Sequence, residues 1–127
     1  MSRSDSPHSR AHSVRVEPLS GRAQVHWRGH VLADSQRALL LRETGLEPVV
    51  YFPREDVQMP LLERTEHSSV CPYKGQACYW SIRAEESLSE NSVWSYEDPI
   101  PEVAEIRDHL AFWLARDPEL KLSHPEL

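Results

Sequence analysis

CPYKGQACYWSIRA, residues 71–84, runs a turn into a strand. Pro72 presets φ for the second position of a β-turn, and Gly75 is free to take a positive φ where the turn closes. From Ala77 the residues are aromatic, β-branched or small, and they sort by alternation. Cys78, Trp80, Ile82 and Ala84 share one wholly apolar face, which predicts the core side. Ala77, Tyr79, Ser81 and Arg83 share the other, on which Tyr79 and Arg83 could line a polar pocket.

Reading outward, SVWSYE (92–97) is the next strand, with Trp94 and Tyr96 on one face and Glu90-Asn91 in the turn before it. LLERTEHSS (61–69) reads as an extended run into the Cys71 loop. EPVVYF, between Gly45 and Pro53, is β-branched and aromatic and predicts a strand. VRVE (14–17) alternates, and AQVHW and HVLA flank Arg28-Gly29 as a hairpin. ALLLRE (38–43) fits helix or strand on pattern alone. PREDV (53–57) reads as a first helical turn, with Pro53 at its first position and Glu55 and Asp56 at the positive end of the dipole. Toward the C-terminus, Val103, Ile106, Leu110, Trp113 and Leu114 fall at helical spacing, yet HLAFWL also passes as a buried strand.

Short strands with frequent turn signals predict a single mainly-β, antiparallel domain. We expect six to eight strands, bent as a sheet or half-barrel around one pocket, with one or two short helices. The expected boundaries are a disordered leader over 1–13, the domain over 14–116 and a C-terminal tail over 117–127.

The 127 residues carry a net charge of −6. Residues 1–84 hold 11 basic against 9 acidic side chains, and residues 85–127 hold 3 against 11. An acidic third of the chain disfavours a phosphate backbone, so no nucleic-acid partner is expected. No apolar stretch nears the roughly 18 residues of a membrane span, so no membrane association is expected either. The N-terminal residues lack the apolar core of a secretory signal. Two cysteines, Cys71 and Cys78, make a poor disulfide framework, and a cytoplasmic setting follows as the expectation. The oligomeric state stays open, a homodimer included.

Candidate chemistry centres on the turn. Cys71 beside Lys74 could be an activated thiolate, with His67 as its base, or could simply pack beneath the turn. Of 14 basic residues only Lys74 and Lys121 are lysines, which suggests that Lys74 answers a need for a compact ammonium, as a point charge on an anion or as a nucleophile. The alternative is an exposed turn tip. Glu43 and Asp56 could serve as acid or base, although Asp56, with Glu55, equally suits a helix start. Tyr51, Tyr79, Trp94 and Tyr96, with Lys74, Arg83 and an acid, would form a cup for a small ligand with a flat or anionic group. The cysteine and histidine spacing lacks the paired ligands of a zinc site, so neither metal nor other cofactor is expected.

VLADSQRALLLRET, PVVYFPREDV, CPYKGQACYW, SVWSYEDPIPE and LAFW occur in the order and spacing of the domain-of-unknown-function 427 family, which the chain resembles over residues 14–114. That resemblance implies a compact small β domain of mainly bacterial and fungal occurrence and no established reaction. It also implies a short helix near Pro101–Arg107 followed by a strand. Two departures stand out: Asp108-His109 replace a Gly-Tyr pair usual before Ala-Phe, and ARDPELKLSHPEL replaces an aromatic and acidic tail. The family is sometimes filed under a nucleotidyltransferase-like heading. Such enzymes need Gly-Ser followed by paired metal-holding acids on a strand, and neither Asp34-Ser35 nor Glu55-Asp56 matches. Two functional classes remain: a small-molecule site, enzymatic if Lys74, Cys71, Asp56 or Glu43 acts chemically, and a non-catalytic binding or interaction module.

Overall fold

A computed structural model describes residues 12–127. These form ten strands: β1 (Val14–Pro18), β2 (Ala23–Trp27), β3 (His30–Ser35), β4 (Leu39–Glu43), β5 (Val49–Pro53), β6 (Leu62–Cys71), β7 (Gly75–Ala84), β8 (Ser87–Ser95), β9 (His109–Phe112) and β10 (Leu120–Ser123). The fold is mainly β, as the alternation predicts, but the strands divide between two antiparallel sheets and close no barrel. One sheet has the order β1-β4-β5-β9-β8-β7-β6 and the other β10-β2-β3.

The large sheet is covered on both faces. Val50, Phe52, Trp80, Ile82, Val93, Leu110 and Phe112 meet Val25, Trp27, Leu32 and Leu120 of the small sheet in the main core. The opposite face carries Leu41, Tyr51, Ala77, Tyr96 and Ala111, covered in part by Val103 and Ile106 from a 3-10 turn over Pro101–Ile106. The face expected to be core on Ala77–Ala84 is indeed the one packed between the sheets, with Trp80, Ile82 and Ala84 buried and Cys78 against them.

Several expectations need correction. The strand count among the described residues is ten: the extended run over 61–69 is the paired strand β6, and the short β10 carries too little alternation to be read. ALLLRE, open between helix and strand on pattern, resolves as a strand: Leu40 and Leu41 are both buried, one on each face of a sheet covered twice. Glu90-Asn91 is not the turn before β8. That turn is Glu85-Glu86, with Glu85 at φ 57, while Asn91 (φ 52) sits within β8 where the β7–β8 register shifts. Asn91 is held there by its N–H to Ser81 Oγ (3.0 Å) and by Thr65 Oγ1 donating to its Oδ1 (2.6 Å).

Among the described residues all four helical elements are 3-10 turns, the others being Arg54–Asp56, Met59–Leu61 and Leu114–Arg116. Pro53 precedes the first of them as the last residue of β5. The ambiguous end resolves into the Pro101–Ile106 turn followed by β9. The segment set apart as a tail contributes β10, paired to β2 with Leu120 opposite Trp27. Most of the expected leader lies outside the described residues; Ser13 exchanges backbone and side-chain hydrogen bonds with Thr44. Among the described residues no helix is long and apolar enough to cross a membrane.

Candidate functional site

The Cys71–Lys74 turn is closed by the Lys74 N–H donating to Cys71 O (3.1 Å), and the Lys74 carbonyl accepts from Ile100 N–H (3.0 Å). Gly75 follows at φ +119, where a Cβ would come within 3.4 Å of Asp98 O and 3.5 Å of Pro99 Cα. Those are ordinary contact distances, so it is the positive φ that calls for glycine here, with the Asp98–Ile100 backbone packed alongside. This clamp fixes the base of the Lys74 side chain.

Lys74 is no exposed turn tip. Its Nζ donates to Glu43 Oε1 at 2.5 Å, and the two side chains are 11% and 7% exposed. Glu43 ends β4, opposite Val14 of β1. Its second oxygen lies 3.3 Å from His12 Nε2, and the His12 ring stacks on Tyr73 at 3.9 Å. A carboxylate with little water around it is thus met by an ammonium on one side and an imidazole on the other.

The pair opens onto a cavity of about 270 Å³ whose wall includes Tyr51, Tyr79, Trp94 and Tyr96. Strand alternation puts them there: all four belong to the face of the large sheet turned away from the main core. Trp94 Nε1 donates to the Tyr51 hydroxyl (3.2 Å), with the rings edge to face at 6.3 Å. Tyr79 shares a hydrogen bond with Ser69 Oγ at 2.8 Å. Burial pushes the Tyr51 phenol well above its ordinary pKa, against the lowering pull of the Trp94 N–H. Burial does the same for Tyr96, reinforced by neighbouring ionisable groups. Both hydroxyls stay protonated at neutral pH and are available as donors.

Of the residues singled out from sequence, Lys74, Glu43, Tyr51, Tyr79, Trp94 and Tyr96 come together around this cavity. Cys71 is half-buried and packs on the face of the large sheet that carries Leu41, Tyr51 and Tyr96, without lining the cavity. Asp56 lies elsewhere: it accepts from Ser35 Oγ (2.6 Å) and Arg37 (3.3 Å), so it ties a turn to the end of β3 and caps no helix. Arg83 is exposed and pairs with Glu63 at 2.9 Å. The His67 ring meets the edge of Tyr79 at 4.5 Å. Cys78 packs on the main core, and burial raises its thiol pKa. Among the described residues no cluster of three His, Cys, Asp or Glu side chains is arranged to hold a metal.

Sequence reasoning missed His12, Leu46, Glu47 and Trp113. His12 was assigned to the leader and Trp113 to a helical spacing. Leu46, 64% exposed on the β4–β5 loop, is the one member with a readable signal, an apolar residue isolated between Gly45 and Pro48.

Residues 15–120 match the family model described as domain of unknown function (DUF427). No curated protein matches the chain.

Proposed function

The chain belongs to the DUF427 family, and from that premise we propose that it binds a small, flat, uncharged molecule in the cavity beside Lys74 and Glu43. The observation that carries this reading is the closed Lys74–Glu43 pair set in an aromatic and aliphatic wall. The pair is neutral as a unit, and it keeps spare N–H donors on Lys74 and free lone pairs on Glu43. An amide-like edge, donor and acceptor side by side, matches both. A formal anion, the partner that Lys74 alone would suggest, would bring a like charge beside Glu43 where little water screens it. The Tyr51 and Tyr96 hydroxyls add donors, and Tyr79 and Trp94 offer ring surface for a planar body.

Binding is the primary role in this reading. If turnover accompanies it, Glu43 and Lys74 are the groups placed to move a proton. The free thiols of Cys71 and Cys78 suit a reducing compartment, and on that ground we assign the domain to the cytoplasm.

Titration with benzamide and with benzoate, followed by tryptophan fluorescence and backbone amide shifts, tests the reading. Benzamide should saturate, with shifts centred on Lys74, Glu43 and Tyr96, and should bind about tenfold or more tighter than benzoate. In Lys74→Met/Glu43→Gln, which removes both charges and keeps the side-chain lengths, that preference should vanish. Shifts centred elsewhere, or a preference unchanged in the double variant, would refute it.

A further inference from the structure

A second cavity, of about 390 Å³, adjoins the first. The two share Glu47, Val49, Trp94 and Trp113 in their walls. The second opens where the sheets part, between Val25 and Leu122 of the small sheet and Val50, Phe52 and Phe112 of the large one. Its chemistry differs from that of its neighbour: Glu47 is the sole ionisable side chain in its wall. Its rim is apolar and exposed, Trp113 by 39% and Leu114 by 38%.

We infer that the two chambers serve one amphipathic ligand, whose uncharged amide-like head lies against Lys74–Glu43 and whose alkyl or aryl tail occupies the second chamber. This deepens the proposed function and rests on it. The argument is adjacency: two cavities that share wall residues, polar groups gathered at one end, and an apolar lining at the other. A head without a tail leaves the larger chamber to water against aliphatic and aromatic surface, which is unfavourable. Each methylene fully buried there should tighten binding about fourfold.

The test compares benzamide, 4-butylbenzamide and 4-hexylbenzamide by calorimetry, with sedimentation to follow the oligomeric state. Affinity should rise with tail length, by about tenfold or more from benzamide to the butyl compound. Ala115→Trp narrows the second chamber from an exposed position on the Leu114–Arg116 turn; it should abolish the gain while benzamide, too short to reach that chamber, binds as before. Benzamide binding with no dependence on tail length overturns this inference and leaves the single-chamber reading standing. A gain that persists in Ala115→Trp places the tail elsewhere and also overturns it. If no member of the series binds, the underlying reading fails, and the inference with it. A concentration-dependent dimer whose formation removes the tail gain would make a second copy the occupant, against the inference.

Discussion

Lys74 illustrates how one residue is fixed by chemistry that local sequence only half reveals. A lone lysine among arginines marks a place for a compact cation, and the structure supplies the reason: its ammonium meets Glu43 where both side chains are almost closed off from water. A forked guanidinium has different needs in such a site. The partner was not readable, because Glu43 ends an apolar run 31 positions away and only the β4–β5–β9–β8–β7 order brings it near. Removing one member of a buried pair leaves the other charge uncompensated, which costs about 3–5 kcal/mol, whereas removing both is far milder. Lys74→Met should therefore lower the urea midpoint markedly, with His12 as Glu43's remaining neighbour. Adding Glu43→Leu to that variant should restore most of the loss. A single variant as stable as the wild type would mean that water already solvates the pair, and the dry-site argument would fall with it.

Among the elements, β10 was hidden and β7 was plain, for one physical reason. In β7, Cys78, Trp80, Ile82 and Ala84 alternate against a mixed face, so period and burial agree. In β10 the alternation is down to Leu120 and Leu122, too few to be distinguished from a tail. Its importance comes from its partner: Leu120 faces Trp27 and Leu122 faces Val25. Just before it, Trp27 Nε1 donates to Asp117 Oδ2 at 3.0 Å. Burial raises the Asp117 pKa, but hydrogen bonds from Ser89, the Glu119 N–H and Trp27 outweigh it and hold the carboxyl below its ordinary value. A chain ending at Arg116 would uncover Trp27 and Val25, which are 0% and 1% exposed. We expect that truncation to unfold at a clearly lower temperature with red-shifted tryptophan emission, and Leu120→Ala to cost about 2–5 kcal/mol. Unchanged melting of the truncated chain would return this segment to the status of a tail. β4 was ambiguous for the opposite reason: burial on both faces erases the alternation that separates strand from helix.

Across the whole molecule, the two faces of the large sheet divide the inter-sheet core from the polar end of the candidate site. One face builds the inter-sheet core, and the other places Tyr51, Tyr79, Trp94 and Tyr96 around the Lys74–Glu43 pair. That division was legible, because alternation assigns faces without any knowledge of topology. The rim of His12, Leu46, Glu47 and Trp113 was not, since it depends on which strand ends meet. The arrangement also sets how the molecule responds to alkali. Tyr51 and Tyr96 have pKa values raised chiefly by burial, while an unfolded phenol ionises near about 10. Below that pH both states keep these protons and their stabilisation is complete. Above it the unfolded chain releases protons that the native state retains, so stability falls as pH climbs toward the native values, by about 1.4 kcal/mol per pH unit for each phenol. Between pH 9 and 12, absorbance at 295 nm and circular dichroism should show these two phenolates forming only as the β structure is lost. Tyr51→Phe and Tyr96→Phe should each flatten the decline in melting temperature. Ionisation of either phenol with the sheet intact would mean that water and hydroxide enter the cavity freely. The low-dielectric case for an uncharged ligand over an anion would then lose its basis.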